Sequence, residues 1–337
     1  MKTGSALAAP GLTVLALVFV VLPFVTSGFW VFVFTTVFMM AALAQSLNFM
    51  AGFAGYADFG NVLYFGIGAY TTAFLMTKEL PFPLAALCSV VLAAAIAALL
   101  GLPILRLRGH YFAIATIGLM EGARELVVNM GFLGGGSGLN VPIVRLPPLG
   151  ALGLAPPQLF SLLIYFLMFG LMLAYTGLAF TLSRSSLGYG LRAIKADEQA
   201  AAVMGIDTTR FKVVAWAMSA ACSSLVGAVY AIWKGFLEPP EAFSILRSTE
   251  YFIMMLLGGA GTVLGPVVGS FILQLMQVLI WERFLQGHEA VVGVVIVLVV
   301  LFVPNGLMRT LQGWGTRRGM LGAGERERRR AGETSVA

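Results

Sequence analysis

Few residues in this sequence could do chemistry, and most of those stand in apolar surroundings. Glu121, Arg124, Glu125 and Asn129 fall in one hydrophobic segment, with Arg124 three residues after Glu121 and next to Glu125. The first pair shares a helix face. Glu121 lies about 13 residues past Arg108, roughly 20 Å along a helix and just beyond the midplane of a ~30 Å hydrocarbon core. An unpaired charge there costs at least about 2.5–3.5 kcal/mol. Two readings follow: a neutralised pair that locks two helices together, or the polar lining of a translocation path. Asn48, Asp58 and Asn61 form a second polar group, at the end of one apolar segment and the start of the next. Asp58 reads first as the cap of the helix that begins at about Phe59 to Asn61. A place on the same path is its alternative, shared with Asn48 and Asn61.

Other chemistries find no support. Cys88 and Cys222 sit in apolar runs without a CxxC or Cys/His cluster, and His110 and His288 are isolated, so neither a disulfide framework nor a metal site is expected. No GxxxxGK[ST] occurs, so any ATP must be bound by a partner. Gly135-Gly136-Ser137-Gly138 resembles the GxSG around the serine of rhomboid-type intramembrane proteases. There the serine opens a helix and a histidine from another span activates it. Here Ser137 enters a Pro-rich loop and His288 falls in a short turn. A serine without a positioned base is no nucleophile.

The elements that must position these residues are membrane helices. Of 337 residues, 59% are hydrophobic and 11% charged, where a soluble domain has roughly 25% charged. Long uninterrupted apolar runs, not alternating ten-residue ones, point to helices and away from a barrel. Forty glycines fit close helix packing in lipid. Spans are expected at Gly11–Val25 (uncleaved), Trp30–Met50, Asn61–Met76, Leu84–Leu105, His110 to about Met130, Gln158–Leu182, Phe211–Trp233, two segments within Ser248–Trp281, and Ala290–Val303. That makes an all-α integral membrane protein, a polytopic bundle of about ten helical segments. The breaks at Ala51–Gly60 and Gly258–Gly265 share an Ala-Gly pair, as two internal repeats would. The expected organisation is a transmembrane domain over 1–310, with a Gly/Pro loop at 131–157, and a basic disordered tail over 311–337.

The longest polar interval before the tail is Ser183–Lys212, which carries Arg184, Arg192, Lys195, Asp197, Glu198, Asp207, Arg210 and Lys212 around an apolar set including Ala201, Val203 and Met204. It reads as a docking element for a soluble partner. With this stretch in the cytoplasm, fifteen of the 21 basic residues fall inside: Lys2, Arg106, Arg108, Arg184, Arg192, Lys195, Arg210, Lys212 and all from Arg309 onward. Lys78, Arg145, Lys234, Arg247 and Arg283 fall outside, and Arg124 lies within a span. The asymmetry obeys the positive-inside rule and places both termini in the cytoplasm, with the Gly/Pro loop over the external mouth.

LNFMAGFAGYADFGNVLYFGIGAYTTA (Leu47–Ala73), RLRGHYFAIATIGLMEGARELVVN (Arg106–Asn129), the GGGSGL loop, the stretch Leu191–Ala231, LLGGAGTVLGPVVGS (Leu256–Ser270) and the closing PNGL resemble, in order, the LivM-type permease subunits of branched-chain amino acid ABC importers. The resemblance implies a type I ABC importer permease-like fold in a prokaryotic plasma (inner) membrane. It also implies a homologous second permease, two ATP-binding subunits at the cytoplasmic face and an extracytoplasmic substrate-binding protein. No cofactor is bound by this chain, since ATP and Mg²⁺ belong to the ATPase subunits. The family's loop motif, Glu-Ala-Ala with Gly four residues on, aligns through Gly205 with Gln199, Ala200 and Ala201, so Gln replaces Glu and Glu198 stands one position early. Lys195, Asp197, Glu198, Ala200, Ala201, Gly205 and Asp207 become the expected coupling residues, the small ones seating the helix in a partner's groove. Urea or a short-chain amide is the alternative substrate within the family. An ion-coupled secondary transporter using Glu121 and Asp58 is the alternative outside it.

Overall fold

The computed structural model describes residues 17–142 and 156–283. The expected span at 290–303, the tail, Arg145, His288 and the PNGL block lie outside the described residues. The described residues open with helix over 17–25 (α1), followed by α2 (Gly28–Leu47), a π-helical turn (Asn48–Gly52), α3 (Asn61–Thr77), α4 (Phe82–Ile104) and α5 (His110–Asn129). Then come α6 (Pro156–Arg184), α7 (Ser186–Ala196), α8 (Glu198–Val203), α9 (Thr208–Lys234), α10 (Pro239–Ala242), α11 (Ile245–Gly258) and α12 (Gly265–Arg283). Four of these are long and apolar enough to cross a membrane by length and composition: α2 with its π turn, α4, α6 and α9. The protein is an all-α membrane protein, with one short strand pair among the described residues. Leu139–Asn140 (β1) pairs antiparallel with Phe236–Leu237 (β2), Leu139 opposite Leu237.

Burial separates the helices by role. From Val37 to Phe53 the chain is almost wholly enclosed, whereas α4 turns Leu84, Leu87, Val91 and Leu99 outward, the pattern of a helix facing lipid. At the centre α9 crosses α3 at backbone distance. A Cβ added to Gly68 would stand 2.7 Å from Ser224 Cα, and one on Gly227 would strike the Phe65 carbonyl. Lipid tails are as apolar as the side chains, so such contact and interhelical hydrogen bonds hold the bundle. Asn61 Nδ2 donates to Ser219 Oγ at 2.9 Å, and Ser219 Oγ donates to the Ser46 carbonyl at 2.7 Å, joining α3, α9 and α2. Ser223 Oγ donates to the Asn61 carbonyl, and Tyr175 Oη of α6 to the Cys222 carbonyl.

Three expectations need correction. Asp58 does not cap α3, whose N-cap is Gly60 without a side-chain bond. The fully buried carboxylate accepts from Gly60 N at 3.1 Å and from Trp216 Nε1 of α9 at 2.7 Å, so it closes its own turn and ties it to the centre. Among the described residues Arg124 locks no second helix: its carboxylate partners there, Glu121 and Glu125, lie on α5 itself. The sequence also groups Arg247 with Glu238 and Glu241 in a polar turn, but it belongs to the first turn of α11 and folds back over the Tyr230 ring at 4.8 Å. The break over 259–264 does divide the last described apolar stretch into two helices, α11 and α12.

The Gly227 crossing makes a direct prediction. Gly227→Ala forces α3 and α9 apart, an overpacking of about 1–3 kcal/mol, and should lower the thermal unfolding midpoint in detergent by several degrees. Gly122→Ala, where an added Cβ meets nothing within 4 Å, should not lower it. Equal midpoints for the two variants would remove the claim that backbone contact sets this crossing.

Candidate functional site

Three short-range caps fold the polar interval into helices. Ser185 Oγ accepts from Gly188 N at the start of α7. Asp197 Oδ1 accepts from Gln199 N at 2.9 Å and Ala200 N at 3.0 Å, so α8 begins one residue after α7 ends. Asp207 Oδ1 accepts from Arg210 N and starts α9. Such caps satisfy amides that the first turn leaves without partners. Between α8 and α9 the chain reverses at Gly205, whose φ of +86° suits a residue without a Cβ. Its neighbour Ile206 N donates to the Ala201 carbonyl.

Glu198 fastens this element to the membrane body. Its Oε1 lies 2.6 Å from Lys212 Nζ, and its Oε2 accepts from Tyr56 Oη at 2.6 Å and faces Arg108 Nε at 3.4 Å. Lys212 also donates to Tyr56 Oη at 3.1 Å and to the Leu105 carbonyl at 2.9 Å. One carboxylate therefore joins α8 to the start of α9, the end of α4, the approach to α5 and the loop after α2. The Lys212 side chain is 3% exposed and that of Glu198 14%. Burial works to raise the Glu198 carboxyl, but bonds from Lys212 and Tyr56 and the Lys212 and Arg108 charges prevail and hold it below the ordinary carboxylate value.

The two sides of α8 then differ. Ala201 is buried against the chain's own body, while Val203 and Met204 at its end are 89% and 83% exposed. Ala200, Asp197, Gly205 and Asp207 face solvent with them. Lys195 takes another direction, its Nζ donating to the Gly52 carbonyl at 2.7 Å. The coupling residues expected from the sequence thus sort into caps, an anchor, one exposed cation bonded to the membrane body and an outward surface. Val203 and Met204 belong to the apolar set read from the sequence, whereas the grouping of Tyr56, Arg108 and Lys212 around Glu198 was not foreseen. A cation at the mouth of an apolar segment, as Lys212 is, was the available signal that a buried partner exists.

The expected path residues do not come together. Asn48, Asp58 and Asn61 are fully buried and hydrogen-bonded within the bundle. Glu121, Arg124, Glu125 and Asn129 lie on the outer side of α5, where Asn129 Nδ2 donates to the Glu125 carbonyl. Next to them opens an apolar cleft of about 880 Å³ between α3, α4 and α5, lined among others by Ile67, Phe74, Ile96, Leu119 and Leu126. Ser137 stands in a short 3₁₀ turn ahead of β1.

The described residues thus form a bundle of apolar helices with a short polar helical element anchored at one end. Residues 29–303 match the family described as "Branched-chain amino acid transport system / permease component", and the chain belongs to it. It is 29% identical to the high-affinity branched-chain amino acid transport system permease protein LivM of Salmonella typhimurium, over 88% of this chain and 74% of that protein. The LivM of Escherichia coli is 28% identical over 85% of this chain and 71% of its own length. The permease protein LivH of Escherichia coli matches more locally, at 26% identity over 40% of this chain and 44% of its own. No solved structure matches the chain.

Glu198→Ala leaves the buried Lys212 ammonium uncompensated, a loss of about 3–5 kcal/mol for a pair of this kind. Trypsin should then cut between Arg192 and Arg210 much faster, and adding Lys212→Met should restore part of the protection. Unchanged cleavage in the single variant would refute the anchor. Because the folded carboxyl titrates below its ordinary value, the tie contributes at neutral pH and is lost as pH falls through that lowered value. Protection should therefore hold from pH 7.5 down to about 4.5 and fail only in stronger acid.

Proposed function

We propose that this chain is a membrane permease subunit of an ABC importer of branched-chain amino acids, driven through α7 and α8 by separate ATPase subunits. The observation that carries the coupling role is the tip of α8. Val203 and Met204 leave two large apolar side chains almost fully in solvent at the end of an element that Glu198 pins to the membrane body. Water makes such a pair costly to expose, and a groove on a soluble partner repays its burial at ~25 cal/mol per Å². The polar interval and both termini face the cytoplasm in this reading, in agreement with the distribution of Lys and Arg.

A second, homologous permease completes the path, and similarity to both LivM and LivH supports such a pair. The outer face of α5 supports it independently. Two carboxylates and one guanidinium at this depth need protein or water beside them. ATP and Mg²⁺ sit on the ATPase subunits, and an extracytoplasmic binding protein delivers substrate to the opposite mouth. Closure of the ATPases then moves α8, and with it the four segments that share the Glu198 network. The chain needs no tight substrate site of its own, since selection is made by the binding protein.

Met204→Asp with Val203→Asp should abolish ATP-driven leucine uptake by cells or vesicles, while the protein remains in the membrane and its second permease still co-purifies. The ATPase subunits should be lost from that preparation. Retention of both ATPases and of uptake would exclude the tip as their docking surface. Uptake by the purified chain alone on a proton or sodium gradient would replace this reading with a secondary transporter.

A further inference from the structure

The two breaks in the helical pattern, one after α2 and one between α11 and α12, meet inside the bundle. α2 ends in the π-helical turn Asn48–Gly52, closed by the bond from Phe53 N to the Asn48 carbonyl at 3.0 Å. From that turn Asn48 reaches the second break. Its Oδ1 accepts from Gly261 N at 2.8 Å and its Nδ2 donates to the Thr262 carbonyl at 3.0 Å. Gln45 Nε2 donates to the Val263 carbonyl at 2.8 Å. Residues 261–263 thus find hydrogen-bond partners on α2 and its π turn where a continuous helix would supply its own. The two backbones touch. A Cβ on Gly52 would stand 2.7 Å from Gly261 N, and one on Gly261, whose φ is +80°, 2.7 Å from the Gly52 carbonyl oxygen.

One side chain of the polar element, that of the exposed residue Lys195, reaches the edge of this junction. Lys195 Nζ donates to the Gly52 carbonyl at 2.7 Å, and would lie 3.8 Å from a Cβ on Gly261. Its stem runs over Gly55, where an added Cβ would stand 2.8 Å from Lys195 Cγ. Its backbone is two residues from Asp197, the cap of α8, and three from Glu198, the anchor. Lys195 thus ties the end of α7 to the π turn through a single side chain. The receiving segment can respond: a π turn is a local irregularity within a helix, and glycines at 259 and 261 tolerate backbone angles other residues resist.

We propose that Lys195 is the positioning residue that passes displacement of α7 and α8 to the junction of the two broken helices. It serves to transmit movement inward, not to dock a partner. The inference rests on the transport reading above and supplies a step that reading leaves open, the route from the cytoplasmic element into the membrane interior.

The test uses the complete transporter, this chain with its second permease, ATPases and binding protein, in proteoliposomes, with leucine as the probe. ATP hydrolysed per leucine taken up is measured together with amide hydrogen exchange over 48–54 and 259–264, with and without ATP plus vanadate. In the unaltered complex both segments should change exchange together on trapping. Lys195→Met should assemble, lose that joint response and spend roughly fivefold or more ATP per leucine, and Lys195→Arg should restore most of both. Should the Met variant fail to assemble, Lys195→Gln, which keeps a donor but not the reach, is read by the same criteria. A normal ratio and a normal joint response in the assembled variant would overturn the proposal. Exchange over 259–264 in the isolated detergent-solubilised chain should also rise in Lys195→Met, a result that does not depend on transport. Absence of leucine uptake by the unaltered complex would instead count against the transport reading.

Discussion

A buried cation without a carboxylate beside it could not stay where Lys212 is. Its side chain lies under the first turn of α9, almost fully enclosed, and the interior offers it one charged partner, Glu198, together with Tyr56 and the Leu105 carbonyl. Removing two charges from water is costly, and the pair repays that cost only with good geometry and further hydrogen bonds. Here both conditions hold: contacts of 2.6 Å, a phenol shared between the two groups and a backbone carbonyl taking a further ammonium proton. The consequence is positional. Satisfying Lys212 obliges α8 to lie against the membrane body, since Glu198 is its first residue.

That obligation decides what α8 can present to the outside. With Glu198 and Ala201 turned inward, the end of this six-residue helix turns outward, and it carries Val203 and Met204. Caps at both ends keep the element short and stiff. Asp197 ends α7 and begins α8, and Asp207 begins α9 four residues after α8 finishes. An element so constrained transmits force to its attachment points in place of bending. The bundle it is attached to is equally resistant at its centre, where α3 and α9 touch backbone to backbone and hydroxyls of Ser219 and Ser223 bridge to neighbouring helices.

Much of this architecture was legible in the sequence because its signals are local. Apolar run lengths and Gly or Pro punctuation placed α2, α3, α4, α5 and α9 to within a few residues, and the GGAG interruption separated α11 from α12. What escaped has a common cause: the partner is far away in the chain. Asp58 beside a helix start looks like a cap until Trp216, in another span, takes its second oxygen. The shift of Glu198 by one position left its particular role open until Lys212, Tyr56 and Arg108 were seen around it. Arg124 failed for the opposite reason, since its partners among the described residues are its own helical neighbours. On α8 the small residues suggested a seat for a partner, but a helix of six residues is too short for periodicity to show which side faces in.

The Glu198 network also explains why the two sides of the bundle should respond differently to the same push. Toward α9 the carboxylate is bound through a buried ammonium at 2.6 Å, and α9 is bound in turn to α3 and α2 by buried hydroxyls, so this side resists as a block. Toward α5 it is bound through Arg108, a half-exposed guanidinium at 3.4 Å, and solvated pairs of that kind are worth less than about 1 kcal/mol. Beyond Arg108 α5 buries only Phe112, Thr116, Met120 and Val127 and stands beside an apolar cleft of about 880 Å³. A helix with few buried side chains and open volume at its flank moves at lower cost than one fixed along its length. In the proposed coupling, a displacement of α8 would therefore meet a block fixed by buried bonds on one side and a less buried helix on the other. The less buried helix is the one whose outer face carries Glu121, Arg124 and Glu125.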